Sequence, residues 1–187
     1  GRTVSYGYDD AGNLTSVTDA GGFVTQYAYD KNHNLTKMAD PIGLETSFTT
    51  TIDDRPQSII YPGCSCSQTF EYGAPAANQI TVTDSRGNQT ISTYDKNGSL
   101  IEVTDPLGNT MNMTYDADLN VTSRTDAVGN QTVFTYDSSG NAFAVTDAQG
   151  NAVAFTYEPL FDLITSVVDE NGDTTSFEYD GRGNLIT

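Results

Sequence analysis

Apolar and polar residues alternate along most of this 187-residue chain in runs of about six, and each run breaks at a cluster of Asp, Gly and Asn. In the stretch "NQTVFTYDSSGNAFAVTD" from Asn130, Gln131, Val133 and Thr135 alternate with Thr132, Phe134 and Tyr136. That period of two predicts a strand with two distinct faces. Asp137-Ser138-Ser139-Gly140-Asn141 follows. Asp first and Gly fourth is type I turn chemistry: the carboxylate accepts from nearby backbone amides, and Gly takes the positive φ that closes a hairpin. Ala142 to Thr146 is the returning strand, and Asp147-Ala148-Gln149-Gly150-Asn151 is a second turn of the same kind. Two strands and two turns per unit predict a continuous antiparallel meander.

The unit recurs nine times with a period of 21 residues and slips of one or two. Its anchor is an aromatic-acid step at Tyr8, Tyr29, Tyr94, Tyr115, Tyr136, Tyr157 and Tyr179, with Ile52-Asp53 and Tyr72-Gly73 read as degenerate copies. Between the anchors run Thr18-Asp19, Ala39-Asp40, Thr83-Asp84, Thr104-Asp105, Thr125-Asp126, Thr146-Asp147 and Val168-Asp169, with Ile60-Tyr61 in that place once. Such a period marks a repeat architecture, in which each unit covers its apolar face by stacking on its neighbours. The expectation is an all-β array over 1-187, a spiralling sheet, open barrel or shell segment of about nine hairpins, with an irregular repeat at 53-78.

Aligned on the anchor, the copies form columns. Two residues before it stand Tyr6, Tyr27, Thr50, Phe70, Ser92, Met113, Phe134, Phe155 and Phe177, on the same strand face as the tyrosines. Tyr8, Tyr29, Tyr94, Tyr115, Tyr136, Tyr157, Tyr179, Phe134, Phe155 and Phe177 are therefore the expected repeat core, because an aromatic stripe of this spacing is more often packing than a ligand platform. Six residues after most anchors lies an aliphatic column: Leu14, Leu35, Leu100, Val121, Ala142, Leu163 and Leu185. The turn glycines Gly12, Gly98, Gly140 and Gly183 give way to His33, Leu119 and Phe161 in three copies. A side chain at positive φ costs on the order of 1 kcal/mol, so those three turns are expected to change type or length.

In the irregular stretch Pro56 and Pro62 belong at strand starts or turns, since neither can donate to a ladder. Cys64 and Cys66 sit two apart and share a strand face. They read as a strained local disulfide or two free thiols; a zinc site needs four ligands.

Hydrophobic residues are 36% of the chain, and Tyr and Phe number 11 and 8 with no Trp, a balance suited to short strands and tight turns. No apolar run approaches the roughly 18 residues that cross a bilayer. With 25 acids against eight bases the formal charge is −17, which disfavours nucleic acid and favours cations or basic surfaces as partners. The start at Gly1 without an initiator Met suggests a fragment of a larger protein.

Stacking the repeats should place carboxylates in rows along each sheet rim. Same-series turns are about 10 Å apart, so salt largely screens their repulsion. Each Asp is read first as a turn cap. A second reading is Ca²⁺ held by Asp19, Asp105, Asp126 and Asp147, although the dense acid spacing of a dedicated calcium loop is missing. The single histidine, His33, leaves no Ser-His-Asp triad, and there is no G-x-S-x-G, phosphate-cradling Gly loop or H-E-x-x-H, so no enzyme activity is expected.

The phrase Y-D-x-x-G-N-L-x-x-V-T-D-x-x-G-N-x-T, seen in "YDKNGSLIEVTDPLGNTMNMTYD" from Tyr94 to Asp116, resembles the YD repeat of the Rhs and teneurin family across essentially all 187 residues. The resemblance implies hairpins that spiral into a hollow shell. In bacterial toxin complexes such a shell encloses a toxic domain, and in teneurins it belongs to an extracellular adhesion receptor. Gly-Asn turns stand here where bacterial members often carry Arg, and the core that follows the repeats in toxin proteins is not visible. The expected role is a non-enzymatic structural segment of a large secreted or cell-surface protein, a shell wall or adhesin stalk. Its partners would be neighbouring YD repeats of the same or another copy of the chain, with a glycan or cell-surface receptor as a further partner, and neither nucleic acid nor membrane insertion. The alternatives are a subunit of a self-assembling extracellular filament and a carbohydrate-binding surface.

Overall fold

The computed structural model describes residues 2–64 and 66–187, and the chain divides into two compact units, residues 1–91 and 92–187. Among the described residues there are seventeen strands and no helix. The first unit contains β1 (Ser5–Tyr8), β2 (Leu14–Thr18), β3 (Val24–Tyr29), β4 (Leu35–Ala39), β5 (Glu45–Thr50), β6 (Pro56–Ile60), β7 (Ser67–Tyr72) and β8 (Gln79–Asp84). After β9 (Gln89–Tyr94), which spans the division, the second contains β10 (Leu100–Thr104), β11 (Thr110–Tyr115), β12 (Val121–Thr125), β13 (Gln131–Tyr136), β14 (Ala142–Thr146), β15 (Ala152–Tyr157), β16 (Ile164–Val168) and β17 (Thr174–Ser176). After β17 the pairing thins to a bridge between Tyr179 and Leu185.

Within each unit every strand pairs antiparallel with the strands before and after it, which is the meander expected from the alternation. The register sorts side chains cleanly. Phe134 faces Val145 and Tyr136 faces Ala142, so the aromatic and aliphatic columns share one face. Thr135 faces Ala144 on the other side, where hydroxyls form their own ladder: Thr114 with Thr122 and Ser123 at 2.8 and 2.7 Å, and Thr156 with Thr165 and Ser166 at 2.7 Å each. Cross-strand pairs of these kinds are what stabilise a sheet lacking a second layer.

One feature of the register was hidden in the sequence. Tyr136 closes its hairpin through a bulge: Thr135 pairs with Ala144 but Tyr136 pairs with Ala142, skipping Phe143. The same shift occurs at Tyr8, Tyr29, Tyr115 and Tyr157. A bulge adds one residue to the returning strand and strengthens the local twist.

The expectation of an interior core needs correction. No apolar side chain among the described residues is buried. Tyr29, Tyr94, Tyr115, Tyr136, Tyr157, Tyr179, Phe134, Phe155 and Phe177 are half-buried, and Tyr8 is 63% exposed. The reason is architectural: in a single layer each ring is covered by its neighbours in the sheet and by nothing above them.

Two further readings change. Ile52 is not an anchor; it lies in a turn and is 95% exposed. Thr50 occupies the tyrosine position, pairing with Pro56 across the same bulge, and Phe48 faces Ile59 as Phe134 faces Val145. In the Glu158 turn the loop is one residue longer, so Ile164 replaces Leu163 as the residue opposite Tyr157. Pro56 does begin a strand and Pro62 sits in the turn from Tyr61 to Cys66. Cys64 and Cys66 are joined as a disulfide in that turn, while Ser65 between them lies outside the described residues.

Candidate functional site

The sheet offers three surfaces on which function could rest: two rims of turns and the aromatic face. Both rims use one turn design. In the turn at Asp126, Gly129 N–H donates to the Asp126 carbonyl at 3.0 Å and Asp126 N–H donates to Asn130 O at 2.9 Å. This is a type I turn followed by a left-handed residue, with Gly129 at φ 93°. The carboxylate then satisfies what the backbone leaves free: Oδ1 accepts from the amides of Val128 and Asn130 at 3.0 and 2.8 Å, and Oδ2 accepts from the Asn130 side chain at 2.8 Å. Asp9, Asp84, Asp105, Asp116, Asp147 and Asp180 repeat the arrangement with Asn13, Asn88, Asn109, Asn120, Asn151 and Asn184. The Asp-x-x-Gly-Asn phrase is thus a closed hydrogen-bond set.

These bonds favour the ionised carboxylate. In Asp9, Asp84, Asp105, Asp116, Asp126, Asp147 and Asp180 the asparagine side-chain bond is the largest cause holding the carboxyl below its ordinary value. In Asp30 and Asp137 the backbone amides of Asn34 and Asn141 lead instead. For Glu158 desolvation pushes upward, and the amides of Leu160, Phe161 and Leu163 together outweigh it.

The calcium candidates sit in separate turns. Asp105, Asp126 and Asp147 engage both carboxylate oxygens internally, and Asp19 Oδ1 accepts from Gly21 and Phe23 amides at 2.8 and 3.0 Å. Among the described residues no three His, Cys, Asp or Glu side chains are grouped to hold a metal ion.

The turns lacking glycine behave differently from expectation. His33 and Leu119 keep the ordinary turn at φ 67° and 68°, with His33 N–H still donating to Asp30 O at 3.1 Å. In the Glu158 turn the length does change, and Asp162 rather than Phe161 takes the positive φ, at 53°. His33, Asp162 and Asp54, which stands at φ 58° in the irregular repeat, each reach back to the preceding repeat. His33 Nδ1 pairs with Asn13 Oδ1 at 2.8 Å, Asn34 Nδ2 donates to Asp54 Oδ1 at 2.7 Å, and Asn141 Nδ2 donates to Asp162 Oδ1 at 2.9 Å. At His33 the sequence shows only a missing glycine, and at Asp54 and Asp162 not even that; the signal lies 20 or 21 residues upstream, in the partner asparagine.

This contrast carries a test. Leu119→Gly removes positive-φ strain and costs no bond between turns, since leucine has no polar side-chain atom, so it should raise stability by about 1 kcal/mol in thermal melts. Asp162→Gly sacrifices the bond to Asn141, so it should bring no gain. Equal gains from the two would mean that the bond between turns contributes nothing.

On the aromatic face the tyrosines also reach back one repeat. Tyr115 Oη donates to Leu100 O at 2.8 Å, Tyr136 to Val121 O at 2.9 Å, Tyr157 to Ala142 O at 2.7 Å and Tyr179 to Ile164 O at 2.9 Å, each 15 residues apart. The cause is visible in the register. The β10–β11 ladder runs from Glu102 with Asn112 to Thr104 with Thr110, so Leu100 stands two residues beyond its end. The phenol hydroxyl takes over where the strands part. In the irregular repeat Tyr72 does the same to Pro56 O at 2.9 Å, with the Arg55 guanidinium 4.5 Å from its ring centroid. An open cleft of about 860 Å³ on the second unit is lined by Phe134, Tyr136, Phe143, Asp116 and Asp137, among others.

Two family models match parts of the chain. Residues 78–187 match the Teneurin YD-shell family model, and residues 1–24 and 8–45 match the RHS Repeat model. The crystal structure of TcdB2-TccC3 without its hypervariable C-terminal region aligns with 98% of this chain at 14% identity and a TM-score of 0.58, so the fold is shared. The Photorhabdus luminescens Tc holotoxin pore with the TccC3-D651A mutation aligns with 98% at 15% identity and a TM-score of 0.47. This chain spans 12% and 15% of those two chains. No curated protein sequence matches it.

Proposed function

Because the chain belongs to the teneurin YD-shell family, we propose that it is a structural, non-enzymatic wall segment of a larger YD-repeat shell carried by a secreted or cell-surface protein. The observation that carries this reading is the aromatic face itself: it is half-covered and supplies no buried apolar side chain among the described residues. A sheet with one apolar face gains stability when something lies over that face, and an apolar face left bare marks a surface built to be covered. Further repeats curving round to enclose a space would provide such cover. Neighbouring YD repeats are accordingly its partners. The turns support the same role, since their side-chain bonds are closed within and between turns and so stiffen the rims of the sheet.

Electron microscopy of the full-length protein carrying these repeats tests the reading. A hollow shell with an internal space is the expected image. Filaments of uniform width would contradict it, as would a particle without an interior.

A further inference from the structure

Tyr115, Tyr136, Tyr157 and Tyr179 each lock a repeat to the one before, but at one anchor position the tyrosine is absent and its place is left open. Thr50 pairs with Pro56 as Tyr136 pairs with Ala142, so Thr50 stands at an anchor position with a far smaller side chain. Counting back the 15 residues that separate Tyr115 from Leu100 leads from Thr50 to Leu35. Leu35 is placed like Leu100: the β4–β5 ladder runs from Lys37 with Ser47 to Ala39 with Glu45, and Leu35 stands two residues beyond its end. At this spot there is an open notch of about 360 Å³, walled by Leu35, Phe48, Thr50, Pro56 and Ile59. The Asn34–Asp54 bond at 2.7 Å joins the two turns at its edge.

We propose that this notch is a binding site for a 4-hydroxyphenyl group, namely a tyrosine side chain presented by a bound polypeptide. The ring would lie against Leu35, Phe48, Pro56 and Ile59, with its hydroxyl donating to the Leu35 carbonyl. The choice of occupant comes from the chain itself, which fills the equivalent space in other repeats with a tyrosine whose hydroxyl meets the equivalent carbonyl. The apolar walls exclude a charged or strongly hydrated ligand, because such a group would lose its water without a partner. An apolar cavity of about 150 Å³ is enough to hold a benzene ring, so space is not limiting. The site rests on the repeat geometry and is independent of whether the parent forms a shell.

The test uses p-cresol, the tyrosine side chain without its backbone, titrated into the intact protein and followed by NMR at Leu35, Phe48 and Ile59. Saturable shifts are expected, with affinity on the order of millimolar for so small a ligand. Toluene, lacking the hydroxyl, should bind about fivefold more weakly. A short acetylated Gly-Tyr-Gly amide should compete with p-cresol, and the Thr50→Tyr variant should no longer bind it. Thr50→Phe is the substitute if the tyrosine variant does not fold. Absence of saturation, equal binding of toluene, failure of the peptide to compete, or persistent binding in a folded variant would each overturn the proposal.

Discussion

Replacing Tyr136 by alanine is expected to destabilise the second unit by about 3 kcal/mol. Truncating a fully buried aromatic costs roughly 3–5 kcal/mol, and the half-buried state of Tyr136 reduces that share to about 2 kcal/mol. Its hydroxyl bond to Val121 O, 2.9 Å long, adds about 1 kcal/mol because the carbonyl stands beyond the end of its ladder. Tyr136→Phe separates the two contributions and should lose only the second. The effect should also have a place. In a repeat array each unit leans mainly on its neighbours, so amide exchange should accelerate in β12, β13 and β14 before it does in β16. Melts within about 0.5 kcal/mol of wild type for the alanine variant would show that the ring is idle.

Acid should unfold the protein cooperatively, and over a defined range. The carboxyls of Asp9, Asp30, Asp84, Asp105, Asp116, Asp126, Asp137, Asp147 and Asp180 are all held below their ordinary value of 3.8. A carboxyl lowered in the folded state contributes stability that is fully present above its unfolded value and is lost as pH falls through the folded one. The melting temperature should therefore be nearly level from pH 7 to about pH 5 and fall steeply below about pH 4. Charge repulsion acts in the opposite sense, since a chain at −17 gains relief as its acids are protonated. Same-series turns lie about 10 Å apart against a screening length of about 8 Å at 0.15 M salt, so the lost turn bonds should win. A melting temperature that holds or rises down to pH 2.5 would contradict this account of the turns. Asp126→Asn should reproduce part of the acid effect at pH 7, because an amide offers one acceptor oxygen where the carboxylate offers two.

Much of this was legible before any coordinates. Alternation through Thr132, Phe134 and Tyr136 named the strand and its face, and Asp with Gly three residues on named the turn, because both signals are local. Register was not legible. The bulge at Tyr136 follows from how the loop feeds the returning strand, and its trace in the sequence, the exposed Phe143, looks like another apolar strand residue. Thr50 was misaligned because Ile52-Asp53 imitates an apolar-acid step, whereas the turn opens at Thr51, whose hydroxyl accepts from Arg55 N–H at 3.2 Å in place of a carboxylate. Loss of the glycine does not reshape the turn at His33 or Leu119. There the cap bonds of Asp30 and Asp116 hold the turn, and about 1 kcal/mol of strain is small beside several hydrogen bonds. The aromatic columns were placed on the correct face, but their degree of burial depends on what lies above a sheet, which spacing within it does not encode.

The account depends on the repeats of the second unit being locked to their predecessors across the aromatic face. A NOESY spectrum with labelled tyrosine rings and methyl groups tests this directly. Cross-peaks from the Tyr136 ring to Val121 and from the Tyr179 ring to Ile164, both pairs 15 residues apart, are the predicted result. Rings that show contacts only within their own hairpins, with none to the preceding repeat, would contradict it.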